Sequence, residues 1–246
     1  MRWTEATCSL AALVVCRLSD ALAAASKSGF ALAQPATDEM WKHVVSHGDL
    51  VFAHPALDLS QPLDNAIIAV GAATTDWLRQ TEHRIIVGNE TATHVGIAVR
   101  SDYSLYILEA TPPSVRLTPA HEFVENLRNL NRSARLYRGI VAERLREKIP
   151  AAVAAALAQL GKPYADDFEP PSSGRFYCSS LVDFAFSQAM HAPHVFVRED
   201  FKLIFVPHEF WARYYQQLGK PLPSNVSGSN PTLLMHSSLV ELHRIS

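Results

Sequence analysis

The strongest constraint on this chain is that its two hydrophobic periodicities are segregated. Short β-branched and aromatic runs gather in the first half, and the longest helical patterns follow them. Thr93 to Arg100 and Tyr103 to Glu109 read as strands separated by Ser101-Asp102, which predicts a hairpin. His47-Gly48-Asp49-Leu50-Val51-Phe52 reads as a turn feeding another strand, and Ala134 to Tyr137 and Leu239 to Ile245 as two more. Helical spacing predicts helices over 64–80, 119–130, 143–160, 177–190 and 208–218, with a break or restart at Pro150 and Gly161 as a C-cap. Residues 165–175 and much of 191–235 are rich in polar residues and proline and read as loops. Strands and helices that do not alternate exclude a series of βαβ units. They predict an α+β fold, an antiparallel sheet packed against helices.

The chain has 246 residues, 48% of them hydrophobic, which is enough for one sizeable core. A net charge of −2 and the lack of a Lys/Arg run argue against a nucleic-acid partner. No apolar stretch is long enough for a transmembrane segment. Residues 1–33 stand apart. Arg2 precedes an apolar run from Leu10 to Val15, and an Ala-rich stretch ends in Ala31-Leu32-Ala33. That order is expected of a signal peptide and an exported, periplasmic or secreted protein, with residues 34–246 as a single domain. The opposing reading is an amphipathic N-terminal helix on a cytoplasmic protein. Cys8 and Cys16 lie in this leader, so its removal would leave Cys178 alone. A single thiol forms neither an internal disulfide nor a tetrahedral thiolate metal site.

Cys178 sits where a polar loop gives way to a helix, in Phe176-Tyr177-Cys178-Ser179-Ser180-Leu181. Unpaired N–H groups and the positive end of the helix dipole favour a thiolate there, and can hold an oxyanion as well. The competing reading is a buried cysteine that serves only as a small hydrophobe. A nucleophilic thiol needs a base, and the base needs an orienting partner. Of eleven histidines, His94 lies inside the apolar strand Thr93-His94-Val95-Gly96-Ile97-Ala98-Val99. Gly96, on the same face, would leave room beside the imidazole. Glu109 ends the next strand, and pairing of the two strands would let its carboxylate face His94. His191 and His194 flank Pro193 with no supporting carboxylate or cysteine, so no metal site is expected there. The other histidines read as loop or element-end residues. Asp166, Asp167 and Glu169 read as a solvated loop just before the nucleophile.

Five segments in this order carry a family resemblance: Gly48-Asp49-Leu50-Val51-Phe52, Thr93-His94-Val95-Gly96, Leu108-Glu109-Ala110, Leu160-Gly161-Lys162-Pro163-Tyr164 and Tyr177-Cys178-Ser179. Together they resemble the YiiX/YebB-like group of the NlpC-type cysteine peptidase superfamily, from about residue 46 to the end. The resemblance implies a circularly permuted papain-like fold in which the histidine precedes the cysteine. It implies Cys178 as nucleophile, His94 as base and Glu109 as the orienting residue, with Tyr164 and Tyr177 lining the cleft and no cofactor. Residues 71–92 depart from the pattern, being longer and more polar than expected. The reaction implied is thiol-dependent hydrolysis of a peptide or amide bond, in a cell-wall peptide or another amide. Acyl transfer on an acyl-lipid substrate is an alternative, and an inactive binding module is a second.

Overall fold

A computed structural model of the chain describes residues 44–54, 60–82, 86, 90–101, 104–130, 134–169 and 174–245. The predicted leader and its two cysteines therefore lie outside the described residues, as do His43 and His83. The described strands are β1 (Leu50–His54), β2 (His94–Arg100), β3 (Leu105–Thr111), β4 (Ser114–Pro119), β5 (Arg135–Val141) and β6 (Val240–Arg244). They form one sheet in the order β4-β3-β2-β1-β5-β6, and every neighbouring pair is antiparallel. Seven described helices accompany it: α1 (Pro62–Glu82), α2 (Ala120–Leu130), α3 (Glu143–Arg146), α4 (Ile149–Leu157), α5 (Cys178–Met190), α6 (His208–Gln217) and α7 (Pro231–Met235). The fold is the α+β arrangement that the segregated periodicities predict.

The central strands are covered on both faces, so they read as continuous apolar runs rather than as alternation. In β2, Val95, Ile97 and Val99 point into the core built with Leu181, Val182 and Ala185 of α5 and Ala152, Val153 and Ala156 of α4. Ala98 points the other way, with Ile107 of β3 against Phe123 and Val124 of α2. Leu50, Phe52, Ile97 and Leu108 are fully buried, each worth about 1.5–3 kcal/mol on area grounds. Gly48 makes the turn into β1 at φ +86, and a side chain there would run into Ile149.

The structure adds to the sequence reading in four places. β3 continues to Thr111 and returns at once as β4, a strand that Pro112, Pro113 and Pro119 disguise. β4 lies at the sheet edge, where Pro119 as its last residue costs little pairing. β5 extends beyond Tyr137 to Val141 because it pairs on both sides, with β1 and with β6. The stretch 143–160 is two helices, with Pro150 in the first turn of α4. Much of the polar segment 71–92 is the second half of α1. There Thr74 and Thr75 are buried and give their hydroxyls to Val70 O and Gly71 O. No described helix is long and apolar enough to cross a membrane.

Candidate active site

Cys178 is the first residue of α5 and is 7% exposed. The first intrahelical bond runs from Leu181 N–H to Tyr177 O, so the N–H groups of the first turn have no partner within the helix. Tyr177 precedes the helix in extended conformation, and its phenol oxygen is engaged elsewhere, accepting the N–H of Ser229 at 3.1 Å. Ser180 Oγ accepts the Tyr177 N–H at 3.0 Å and donates to Tyr177 O at 2.9 Å, which fixes the angle at which the chain enters α5. The thiol is thus presented by a rigid turn at the positive end of a helix of 13 residues.

His94 is the first residue of β2, an inner strand that pairs with β1 and β3. Its imidazole is hydrogen-bonded to Glu109 and lies close enough to Cys178 to interact with its thiol. The Glu109 bond runs from Nε2 to Oε2 at 2.6 Å, which leaves Nδ1 as the nitrogen to serve the thiol. Burial works against a charge on the ring, but the interactions with Cys178 and Glu109 and the negative charge of both outweigh it. The His94 pKa is raised to about 10. The ring also lies 5.9 Å from that of Phe123 on α2.

Glu109 is 3% exposed, and a buried carboxylate needs partners. Besides His94 it has two, both from β4: Thr118 Oγ1 donates to Oε1 at 2.6 Å, and Arg116 Nε donates to the same oxygen at 3.2 Å. Burial alone would raise its pKa; His94, Thr118 and Arg116 together bring it below the ordinary carboxylate value. Thr118 and Arg116 were not candidates from the sequence. Their signal was the alternation of Val115 and Leu117 with Arg116 and Thr118, obscured by the flanking prolines. Gly96 has a different role from the one expected. A Cβ there would sit 2.4 Å from Ile107 Cγ2 and 3.4 Å from Glu109 Cβ, so the glycine makes room for β3 side chains rather than for the imidazole.

The start of β2 is anchored from two sides. Thr93 N–H bonds Ala53 O at 2.9 Å, and Thr232 of α7 accepts from Ala92 N–H at 3.0 Å and donates to Ala92 O at 3.2 Å. Asn230 caps α7 through the Leu233 N–H and donates Nδ2 to Thr74 of α1. Nothing in the proline-rich sequence around α7 signalled this clamp. A cleft of about 500 Å³, counted out to the solvent at its mouth, opens beside Cys178. Thr93, Tyr164 and Tyr177 line it together with Cys178.

The acidic loop before Cys178 is not simply solvated. Asp167 is 2% exposed and paired with Arg175 at 2.7 Å and with Lys220. Glu169 shares both cations, and Asp166 lies 3.5 Å from Arg175. Tyr214 and Tyr215 of α6 donate their hydroxyls to Asp166 O and Asp167 O. Burial opposes the Asp167 charge, yet the Lys220, Arg175 and Glu169 N–H bonds pull its pKa down to about 2. His194 is held by Asp183 at 3.0 Å, His54 by Thr91 O at 2.5 Å and His47 by the Arg100 N–H; none of these approaches Cys178 in a bond. Among the described residues, no group of three or more His, Cys, Asp or Glu is placed to hold a metal ion.

The family model for the permuted papain-like amidase enzyme, YaeF/YiiX, C92 family matches residues 44–237. Among solved structures, the crystal structure of the metalloprotein YiiX from Escherichia coli O157:H7 is similar, at 18% identity and a TM-score of 0.56. That match covers 81% of this chain and 96% of that one, and likeness at such identity concerns the fold. No curated protein matches the chain.

Proposed function

Since the chain belongs to the YaeF/YiiX, C92 family of permuted papain-like amidase enzymes, we propose that it cleaves an amide bond through a thioester on Cys178, with His94 as base and acid and Glu109 orienting it. One observation carries this reading: the His94 imidazole is bonded to Glu109 and interacts with the Cys178 thiol at once. With its raised pKa, His94 holds the thiol proton as an imidazolium and leaves Cys178 as the nucleophile. Sγ attacks the amide carbonyl carbon, and the carbonyl oxygen gains charge towards the first-turn N–H groups of α5. The C–N bond then breaks as His94 passes its proton to the departing amine, leaving a thioester. Water attacks that carbonyl while His94 takes a proton from it, the C–S bond breaks, and the carboxylic acid leaves. The thiol site is regenerated.

Metal binding is attributed to YiiX, but the donor set described here does not fit a metal ion, so no step runs through one. The test is Cys178→Ala assayed on a panel of amides, alongside labelling of the unaltered chain by a thiol-directed electrophile. Turnover and labelling should both disappear in the variant. Turnover retained by Cys178→Ala overturns the reading. Mass spectrometry of the unaltered chain during turnover should find the acyl group on Cys178.

A further inference from the structure

The cleft beside Cys178 differs in chemistry from the rest of the site. Ile67 and Val70 of α1 form one wall, Leu203, Ile204 and Phe205 the next, and Trp211 of α6 with Phe168 the third. Apart from the Cys178 thiol and the tyrosine phenols, no described residue lining it has an ionisable acid or basic side chain, and the polar ones, Thr93, Ser179, Ser229 and Asn230, are neutral. A substrate part bearing a carboxylate or ammonium would lose its hydration there and find no counter-charge. An apolar part would gain burial at no such cost.

Phe168 shows that this wall is deliberately built. It sits at φ +54, a left-handed conformation that disfavours a residue with a bulky side chain. The strain is held from both sides. Asp167 and Glu169 are tied to Arg175 and Lys220, and the tyrosine hydroxyls of α6 take Asp166 O and Asp167 O. What that conformation achieves is placement of the Phe168 ring, edge-on to Tyr177 at 5.6 Å and to Trp211 at 5.6 Å, on the cleft wall. The ion-paired residues themselves, Asp167, Glu169, Arg175 and Lys220, are absent from the lining.

We propose that this cleft is a pocket for the acyl half of the substrate, and that the substrate class is amides of linear, uncharged, apolar carboxylic acids, with Phe168 as a specificity-determining residue. This rests on the proposed thioester reading. The acyl carbon must bond to Cys178 Sγ, which lines the same cleft, and the acyl group must stay while the amine departs and water arrives. An apolar pocket holds the acyl chain by burial through both steps, and the open mouth is left for the amine.

The experiment uses a series of amides of one fluorogenic amine, acylated with acetyl, butanoyl, hexanoyl, octanoyl and γ-glutamyl groups. For the unaltered chain, kcat/KM should rise about fourfold per added methylene until the pocket is filled, and the γ-glutamyl amide should be the poorest substrate. Ile67→Trp, which fills the pocket from α1, should lower the octanoyl-to-acetyl ratio at least roughly tenfold. Phe168→Ala should flatten the chain-length dependence. Rates that ignore chain length, or that favour the γ-glutamyl amide, overturn the pocket while leaving the thioester reading intact. The complementary arm titrates Cys178→Ser with octanamide and acetamide and follows tryptophan fluorescence. Tighter binding of octanamide supports the pocket even if no amide is turned over, in which case the thioester reading fails alone. Equal binding of the two amides overturns the pocket.

Discussion

Glu109 and Asp167 are both nearly inaccessible to solvent, both hydrogen-bonded several times over, and both held more acidic than an ordinary carboxyl. They differ in what shares their charge. Glu109 faces His94, a titratable partner that also touches the thiol, with Arg116 and Thr118 on its other oxygen. Asp167 faces only cations that stay charged through the neutral range, Arg175 and Lys220. A carboxylate whose partner can release its proton is coupled to chemistry. One whose partners cannot is coupled to the shape of a loop. On the proposed reading, the same desolvation problem is solved once for rate and once for architecture.

The largest expected effect comes from breaking the first arrangement. Glu109→Gln keeps the shape of the side chain and removes its charge, so kcat/KM should fall by about 10²–10⁴-fold while the melting temperature moves little. The alkaline limb of the rate profile should also move. His94 must stay protonated to serve the leaving amine, so activity should decline as pH rises through about 10 in the unaltered chain. Without the Glu109 charge that limb should shift to lower pH, since Glu109 is one of the groups raising the imidazole. A variant that loses stability but keeps its rate would place Glu109 with Asp167 and end the distinction.

Asp167→Asn should do the opposite. It leaves Arg175 and Lys220 without the buried charge they pair with, costing roughly 1–3 kcal/mol of stability, with kcat on an acetyl amide altered less than about tenfold. The same group sets an acid limit. Its pKa is depressed from 3.8 to about 2 in the fold, so its stabilisation is fully present above the unfolded value and is lost as pH falls through the folded one. That difference corresponds to roughly 2 kcal/mol, to be seen as a falling urea midpoint between about pH 4 and pH 2. Asp167→Asn should flatten that part of the curve. An unaltered acid profile in the variant would assign acid sensitivity elsewhere.

The contrast between the two carboxylates also marks what the sequence could disclose. His94 and Glu109 were legible because each interrupts an apolar strand, and a polar residue in such a run has to be explained. Cys178 was legible as a cysteine at a helix start. Asp167 was misread as solvated because its neighbours, Asp166, Glu169 and the prolines after it, have the composition of a surface loop. Its cations are at positions 175 and 220, the second one beyond two further helices' worth of chain. Burial there is a tertiary fact with no local period. The strand β4 was lost for a related reason, since its prolines fall at the turn and at an edge, where pairing does not forbid them. With it went Thr118 and Arg116, so the second and third partners of Glu109 could only come from the structure.

Arg116 provides the smallest and most discriminating test of the comparison. Its side chain is 41% exposed, so solvent screens its attraction for Glu109 far more than burial screens the His94 bond. An exposed pair of this kind is worth up to about 1 kcal/mol, which corresponds to about fivefold in rate at most. Arg116→Gln should therefore change kcat/KM by less than about fivefold, and raising the salt concentration should shrink even that. Thr118→Val removes an uncharged donor from the same oxygen, but at a buried position where Glu109 cannot replace it with water. It should cost more than Arg116→Gln despite carrying no charge. If the arginine variant is the more damaging, then net charge around Glu109 matters more than its fixed orientation, and the carboxylate acts chiefly by holding His94 protonated.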